Sequence, residues 1–384
     1  MSAVTQAVTN PAAGRSPYAQ LQFEIARRGW NHKAAGRVIF ELAIHMAATL
    51  GGIAIFLATH YLAVRIFGLW ISTLGLMGVA TNSHTSSHYA TSDKRWVNEF
   101  LSYLGYPIFM SLSATYWWHK HCKVHHPAPN VVGVDGDADL LPWFAMTQQE
   151  IDGSRGLRRF YFEKVQFWFF PFALAVNGLA MSQTGIRFLI GELRSPRRNH
   201  KHYIDAACMV AHYGLWIVLP AFWFGLWPAI GFYLLRMALM GYAMFTVIAP
   251  AHIPVDAGRL TRDYANRDWL LLQAAATVNF RAGWIGRFIS SGSDCQIEHH
   301  LFPYISHVYY SKMSPLVKEV CEQHGVPYRC LPWAESVWRC WLVMKRPQQQ
   351  MPDLEMFRTP VGEPAAEPRP ADPEPITSET VGAD

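Results

Sequence analysis

Residues 203–249 read YIDAACMVAHYGLWIVLPAFWF, GLWP, AIGFYLLRMALMGYAMFTVIA. Tyr203 to Phe224 is an apolar run, Gly225-Leu226-Trp227-Pro228 supplies a turn, and Ala229 to Ala249 returns. Each arm approaches or exceeds the roughly 20 residues a helix needs to cross a hydrocarbon core. The stretch therefore reads as a transmembrane hairpin. Upstream, Val38 to Val64 is apolar, Arg65 marks a turn, and Ile66 to Ala80 continues through Asn82 and His84. That pair reads as a second hairpin. The predicted spans are about residues 38–64, 66–83, 203–224 and 229–250, four in two hairpins of an all-α integral membrane protein. Phe100 to Tyr116 and Val165 to Met181 are apolar too. Gly, Pro and polar residues break them, and they read as interfacial or half-buried helices.

Composition agrees. The chain is 51% hydrophobic and only 16% charged, against roughly 25% charged in soluble domains. Its 15 Trp suit the boundary between lipid and water, where a ring is half apolar and half wet. A mean hydropathy of +0.05 is too low for a chain that is nearly all transmembrane, so sizeable parts are expected outside the bilayer. The net charge of +5 reads as affinity for anionic headgroups. No basic run interleaved with aromatics marks a nucleic-acid groove, so nucleic acid is not an expected partner. Six Cys occur without a C-x-x-C pair and are expected to be free thiols.

Most Lys and Arg fall in 27–37, 94–95, 155–164, 187–201 and 259–267, whereas both hairpin turns are almost uncharged. The positive-inside rule then places both termini and the long loops in the cytosol. Residues 1–36 form a cytosolic N-terminal segment without the pattern of a cleavable signal peptide, and 37–345 form the membrane domain. The Pro- and Glu-rich residues 346–384 are expected to be disordered, because they bury too little apolar surface to offset ordering entropy. Arg236, inside the last apolar run, is expected to snorkel to headgroups.

The chain has 17 His, and three groups of them stand out. His84-Thr-Ser-Ser-His88 follows the second apolar run. His121-Cys-Lys-Val-His125-His126 comes next, and Gln296-Ile-Glu-His299-His300 lies beyond the last run. On an α-helix, positions i and i+4 share a face, so each group can offer imidazoles to one metal. One H-x-x-x-H pair is weak evidence. Three groups, each on the predicted cytosolic side, allow seven imidazoles to converge, more than a single four-coordinate ion accepts. Two metals are the economical reading, and imidazole suits Fe, Zn, Cu or Ni.

W-W-H-K-H-x-x-x-H-H-P-A-P-N at 117–130, D-G-D-A-D at 135–139 and Q-I-E-H-H-L-F-P at 296–303 closely resemble the membrane fatty acid desaturases. The Q-x-x-H-H form of the third group resembles the front-end and bacterial acyl-lipid desaturases. The similarity covers about residues 36–335. It implies four transmembrane helices below a cytosolic helical cap that holds two irons. It also implies His84, His88, His121, His125, His126, His299 and His300 as ligands, with His252 at a further ligand position. Gln296 stands where other subgroups have His, as a weak ligand or a neighbour of one. Many front-end desaturases carry an H-P-G-G haem motif of a fused cytochrome b5, which is absent here, so a separate donor of ferredoxin or cytochrome b5 type is expected.

An alkyl C–H bond far from a carbonyl is neither acidic nor electrophilic, which leaves activation to a redox metal with O2. Ligating imidazoles usually have their second nitrogen held by a carboxylate or carbonyl. Asp93, Asp135, Asp137, Asp139 and Glu298 are candidates for that role, as are Asn82, Asn130 and Asn279. Trp117 and Trp118 are candidates to wall an acyl tunnel or to anchor at the interface. Cys122 and Cys295 are expected to be spectators. His45, His60 and His212 are expected to pack within the bundle or its interface, and His200 and His202 to meet headgroups. Desaturation of an acyl-lipid, acyl-CoA or acyl-carrier-protein substrate is the leading expectation. Hydroxylation or ketolation at the same site is the alternative, and a single-zinc membrane receptor or hydrolase the more distant one.

Overall fold

The computed structural model describes residues 15–359, apart from 138 and 266. Helices dominate, and five are long and apolar enough to cross a membrane by length and composition: Ala35–Leu57, Leu62–Ser87, Gly156–Arg194, His200–Phe224 and Leu226–Ala251. The first pair packs backbone against backbone. A Cβ on Gly52 would lie 2.5 Å from the Gly68 carbonyl oxygen, and one on Gly75 would lie 2.5 Å from the Thr49 nitrogen. Small residues that permit such approach are the usual means of helix association where lipid removes the hydrophobic drive.

The hairpin turns differ from the sequence reading. The first lies before Arg65, between Leu57 and Leu62. Arg65 belongs to the second helix, and its Nε donates to Thr59 O at 2.8 Å. Its guanidinium also sits 5.2 Å from the Phe56 ring, so it steadies the C-terminal end of the first helix, where a cation is favoured. The second turn is tighter than Gly225 to Pro228. Gly225 alone makes it, at φ +83°, a conformation that glycine adopts without cost. Pro228 falls in the first turn of the returning helix, where its missing N–H is harmless.

The segment Val165 to Met181, expected to be broken, lies inside the continuous Gly156–Arg194 helix. Gly178, its one glycine, is a contact rather than a break, as is Gly185 further along the helix. A Cβ on Gly178 would lie 2.8 Å from Met237 O, and one on Gly185 would lie 3.2 Å from the Ser113 nitrogen. Phe100 to Tyr116 does divide, between the π-helical turn Leu104–Phe109 and the helix that starts at Ala114. Arg236 does not snorkel. It is buried, donates from Nη2 to Phe109 O, and lies 4.0 Å over the Trp216 ring.

The remaining described elements gather around a second core, termed the cap. The first 36 residues are not simply a polar lead-in: Pro17–Arg27 is a helix whose Leu21 and Ile25 are buried. They share one core with Leu271, Phe302 and Val317. Two parallel two-stranded ladders brace the cap, Arg259–Ala265 with Gln350–Asp353 and Asn279–Arg281 with Cys330–Pro332. The predicted disordered tail therefore begins too early. Gln348 donates to Ile253 O at 2.9 Å and Pro254 O at 3.0 Å, and Leu354 is buried. Low complexity begins only beyond these few anchoring residues. Residues 360–384 of the tail expected to be disordered lie outside the described residues. All six Cys are free.

Candidate metal centre

Four chain segments deliver eight histidines to one buried volume. The Leu62–Ser87 helix carries His84 and ends at His88, where Tyr89 takes φ 56° and halts it. His252 follows the Leu226–Ala251 helix directly. The short Gln296–Leu301 helix supplies His299 and His300, whose side chains diverge by about 100° because they are consecutive on a helix.

The second histidine group departs from the α-helical reading. Trp118–His125 is π-helical, and the backbone N–H of His126 donates to His121 O at 3.1 Å, five residues back. In that winding i+4 and i+5 both flank i, so His121 lies beside both neighbours, its Nε2 3.2 Å from His126 Nε2 and its ring stacked 4.9 Å from that of His125. Inserted π turns of this kind recur at functional sites. The histidines fall into two nests, His84, His88, His121, His126 and His299 in one and His125, His252 and His300 in the other, the ligand atoms of each within 4.8 Å of one another, and a third group of His121, His125 and Asp137 links them. Gln296 joins the second, its Nε2 2.8 Å from His252 Nε2, while its Oε1 is buried without a partner.

Four of these imidazoles have their tautomer fixed by what lies behind them. Asp135 accepts from His125 Nδ1 at 2.8 Å and Asp137 from His121 Nδ1 at 3.1 Å. Gln273 spends its Nε2 on His126 O, so its Oε1 faces His300 Nδ1 at 2.9 Å and accepts. Tyr310 donates to Ile305 O and thus accepts from His299 Nδ1 at 3.2 Å. Each such ring has its proton on Nδ1 and a bare lone pair on Nε2. Two of those lone pairs then face one another, His125 Nε2 3.3 Å from His300 Nε2, and His299 Nε2 lies 3.1 Å from Nε2 of His126. Acceptor against acceptor in a buried site is unfavourable without a cation between, so the donor set fits metal ions.

The electrostatics agree. Burial drives the imidazoles of His121, His126, His299 and His300 well below their ordinary range, and that of His252 down to about 3. They are neutral, as ligation requires. Burial would also lower His125, but Asp135 beside it holds it above the ordinary value. Burial would raise Asp137, yet Lys120, with Nζ 2.8 Å away, outweighs it and keeps the carboxyl low.

Other expected partners lie elsewhere. Asp93 is exposed, in a cleft with Lys33 and Arg95, and Asp139 accepts from the backbone of Leu141. Glu298 turns away from the nests and accepts from Asn279 at 2.8 Å and Tyr328 at 2.7 Å. Asn279 also holds the first turn of the third histidine helix through Ile297 N. Asn82 ties the first hairpin at Val38 O, and Asn130 spans the carbonyls of His252, Gly258 and Ala276. Trp117 walls the site, stacked 4.3 Å from His121, whereas Trp118 packs on Tyr103 and under Lys201. Cys122 and Cys295 belong to neither nest. His45 lies against Phe288, and His212 against Ile108 O and Tyr233.

Gln273 and Tyr310 were not foreseen. Tyr310 has no local signal, but Gln273 is a lone amide in the apolar run WLLLQAAA, and such a residue needs a reason to be buried. Gln273→Leu is expected to release the His300 ring and to lower activity by about tenfold or more, the usual effect of losing a ligand's hydrogen-bond partner. Turnover compared with wild type at equal protein checks this.

Residues 59–332 match the family model described as fatty acid desaturase. The chain is 26% identical over 343 residues to Delta(8)-fatty-acid desaturase 1 of Arabidopsis thaliana, covering 83% of this chain and 72% of that protein. It is 27% identical to a Delta(5) fatty acid desaturase of Caenorhabditis elegans, over 68% of this chain and 60% of that one. It is 25% identical to the sn-1 linoleoyl-lipid 6-desaturase of a Synechocystis strain, over 70% and 76%. With the match spanning most of its length, the chain belongs to the fatty acid desaturase family.

Proposed function

We propose that the two nests hold two iron ions, and that the protein uses O2 and electrons from a ferredoxin- or cytochrome b5-type donor to place a double bond in a long acyl chain. The observation that carries this reading is the pair of nests in which imidazole Nε2 atoms converge on one another. His84, His88, His121, His126 and His299 would hold one ion, and His125, His252 and His300, with Gln296 beside them, the other. Bound iron supplies the one-electron chemistry with O2 that unactivated C–H bonds require. The protein's share is to orient the rings through Asp135, Asp137, Gln273 and Tyr310, to wall the site with Trp117, and to exclude water.

We further propose four transmembrane helices, with the cap, the metal centre and the termini on the cytosolic side. The Gly225 turn is shared by the helices that begin at His200 and end beside His252, so His200 lies at the metal-centre end. Arg194 is joined to His200 by residues 195–199 alone, and Gln166 bonds Met344 O in the cap. Both regions of the Gly156–Arg194 helix thus approach the same end of the bundle, which supports an oblique, half-immersed course over a fifth crossing.

The test is lipid profiling of a host that expresses the chain with a matching donor, offered acyl-lipid, acyl-CoA and acyl-carrier-protein substrates. A product lighter by two hydrogens is expected. One heavier by an oxygen makes the enzyme a hydroxylase, and one zinc without iron on metal analysis refutes the di-iron reading.

A further inference from the structure

We propose that Asp205, seconded by Arg236, is a positioning residue through which the membrane bundle sets the helix that carries His121, His125 and His126. The proposal rests on the reading that these three are metal ligands. Two helical segments meet nearly end to end inside the protein, one closing with the π-helical turn Leu104–Phe109 and the other opening at Ala114. Between them Ser111 takes φ 60°, and Met110, Ser111, Leu112, Ser113 and Ala114 are all buried.

Each helix end leaves backbone groups without an intrahelical partner and about half a unit of charge, negative at the closing end and positive at the opening end. Water normally answers both. Here side chains from the two long helices of the second hairpin do so, with matching signs. At the closing end, Ile108 O accepts from His212 Nδ1 at 2.8 Å and Trp216 Nε1 at 2.7 Å, and Phe109 O accepts from the Arg236 guanidinium. At the opening end, the fully buried Asp205 carboxylate accepts from Ala114 N at 3.1 Å, Thr115 N at 2.8 Å, Thr115 Oγ1 at 2.6 Å and Ser113 Oγ at 2.7 Å.

These two buried charges are thereby explained without pairing them to each other. Thr115 precedes His121 by less than two turns, and the helix is continuous between them. A shift at Asp205 therefore displaces imidazoles of both nests together. Both charges are deeply placed polar groups in apolar runs, which marks them as functional by default in a membrane domain.

The experiment uses the full chain in lipid nanodiscs, loaded with ferrous iron, as Asp205→Ala, Asp205→Asn and a Met209→Ala control. Met209 is buried one turn further along the same helix. Hydrogen exchange of the peptide spanning Ser113 to Thr115, iron content, the near-infrared ligand-field bands and the KM and kcat for desaturation are read. Asp205→Ala is expected to speed exchange at Ala114 and Thr115, shift the bands and lower kcat by about tenfold or more with KM little changed. Asp205→Asn, which keeps one acceptor oxygen, is expected to recover part of each. Met209→Ala is expected to move none of them. Wild-type bands and kcat in Asp205→Ala, or the same shifts in Met209→Ala, overturn the proposal. If the wild-type protein takes up no iron, the metal reading fails by itself. The cap is then judged by exchange alone, and unchanged exchange in Asp205→Ala overturns it.

Discussion

His125→Ala is expected to end double-bond formation and to remove about one iron per chain, whereas His88→Ala keeps both irons and loses activity. The contrast follows from unequal nests. The second has three imidazoles, His125, His252 and His300, and the first has five. Removing His125 leaves two imidazoles and the amide of Gln296, too few good donors to retain an ion that takes four or more ligands. Removing His88 leaves four in the first nest. Metal analysis of each purified variant beside its product profile checks the pair. Equal iron loss in both variants overturns the assignment of histidines to two separate ions.

Asp135→Asn is expected to lower turnover by about 10- to 100-fold, the range for residues that hold a ligating histidine. The Asp135 carboxylate does two things: Oδ2 accepts from His125 Nδ1 and also from the backbone of Asn130 at 2.8 Å. An amide retains one oxygen but brings an NH2 group that cannot accept from His125, and it removes the negative charge that holds this imidazole above its ordinary basicity. The iron bound by the second nest is expected to be held more weakly in consequence. Titration with a chelator, variant against wild type, measures it. Asp137→Asn should have a smaller effect, because Asp137 lies partly exposed and shares its charge with Lys120. An equal or larger loss at Asp137 reverses the ranking.

The two helix pairs and the gathering of the histidines were legible because both rest on local pattern. Length and apolarity specify a span, and H-x-x-x-H beside a span specifies where imidazoles gather. The sorting of those imidazoles was not legible. It depends on the π-helical winding of Trp118–His125, which no residue in that run announces and which sets His121 beside both His125 and His126. The groups behind the rings were half legible. Asp135 and Asp137 lie near the second histidine group in sequence, but Gln273 and Tyr310 reach theirs only through the packing of the cap. Glu298 failed for a related reason, since adjacency in sequence to His299 placed it on the opposite side of a short helix, toward Asn279 and Tyr328. Gly178 was misread as a break because close approach of a neighbouring backbone is invisible in one sequence.

The ladder between Gln350–Asp353 and Arg259–Ala265 bears on where this polypeptide tolerates a stop codon or a purification tag. A design that ends the chain at residue 345, where composition first turns Pro-rich, deletes the Gln348 amide that grips the two carbonyls just after His252. The loop carrying that imidazole would lose its brace, and a failed preparation would be blamed on the membrane region. Ending beyond Thr359, or tagging farther out, keeps the clasp in place.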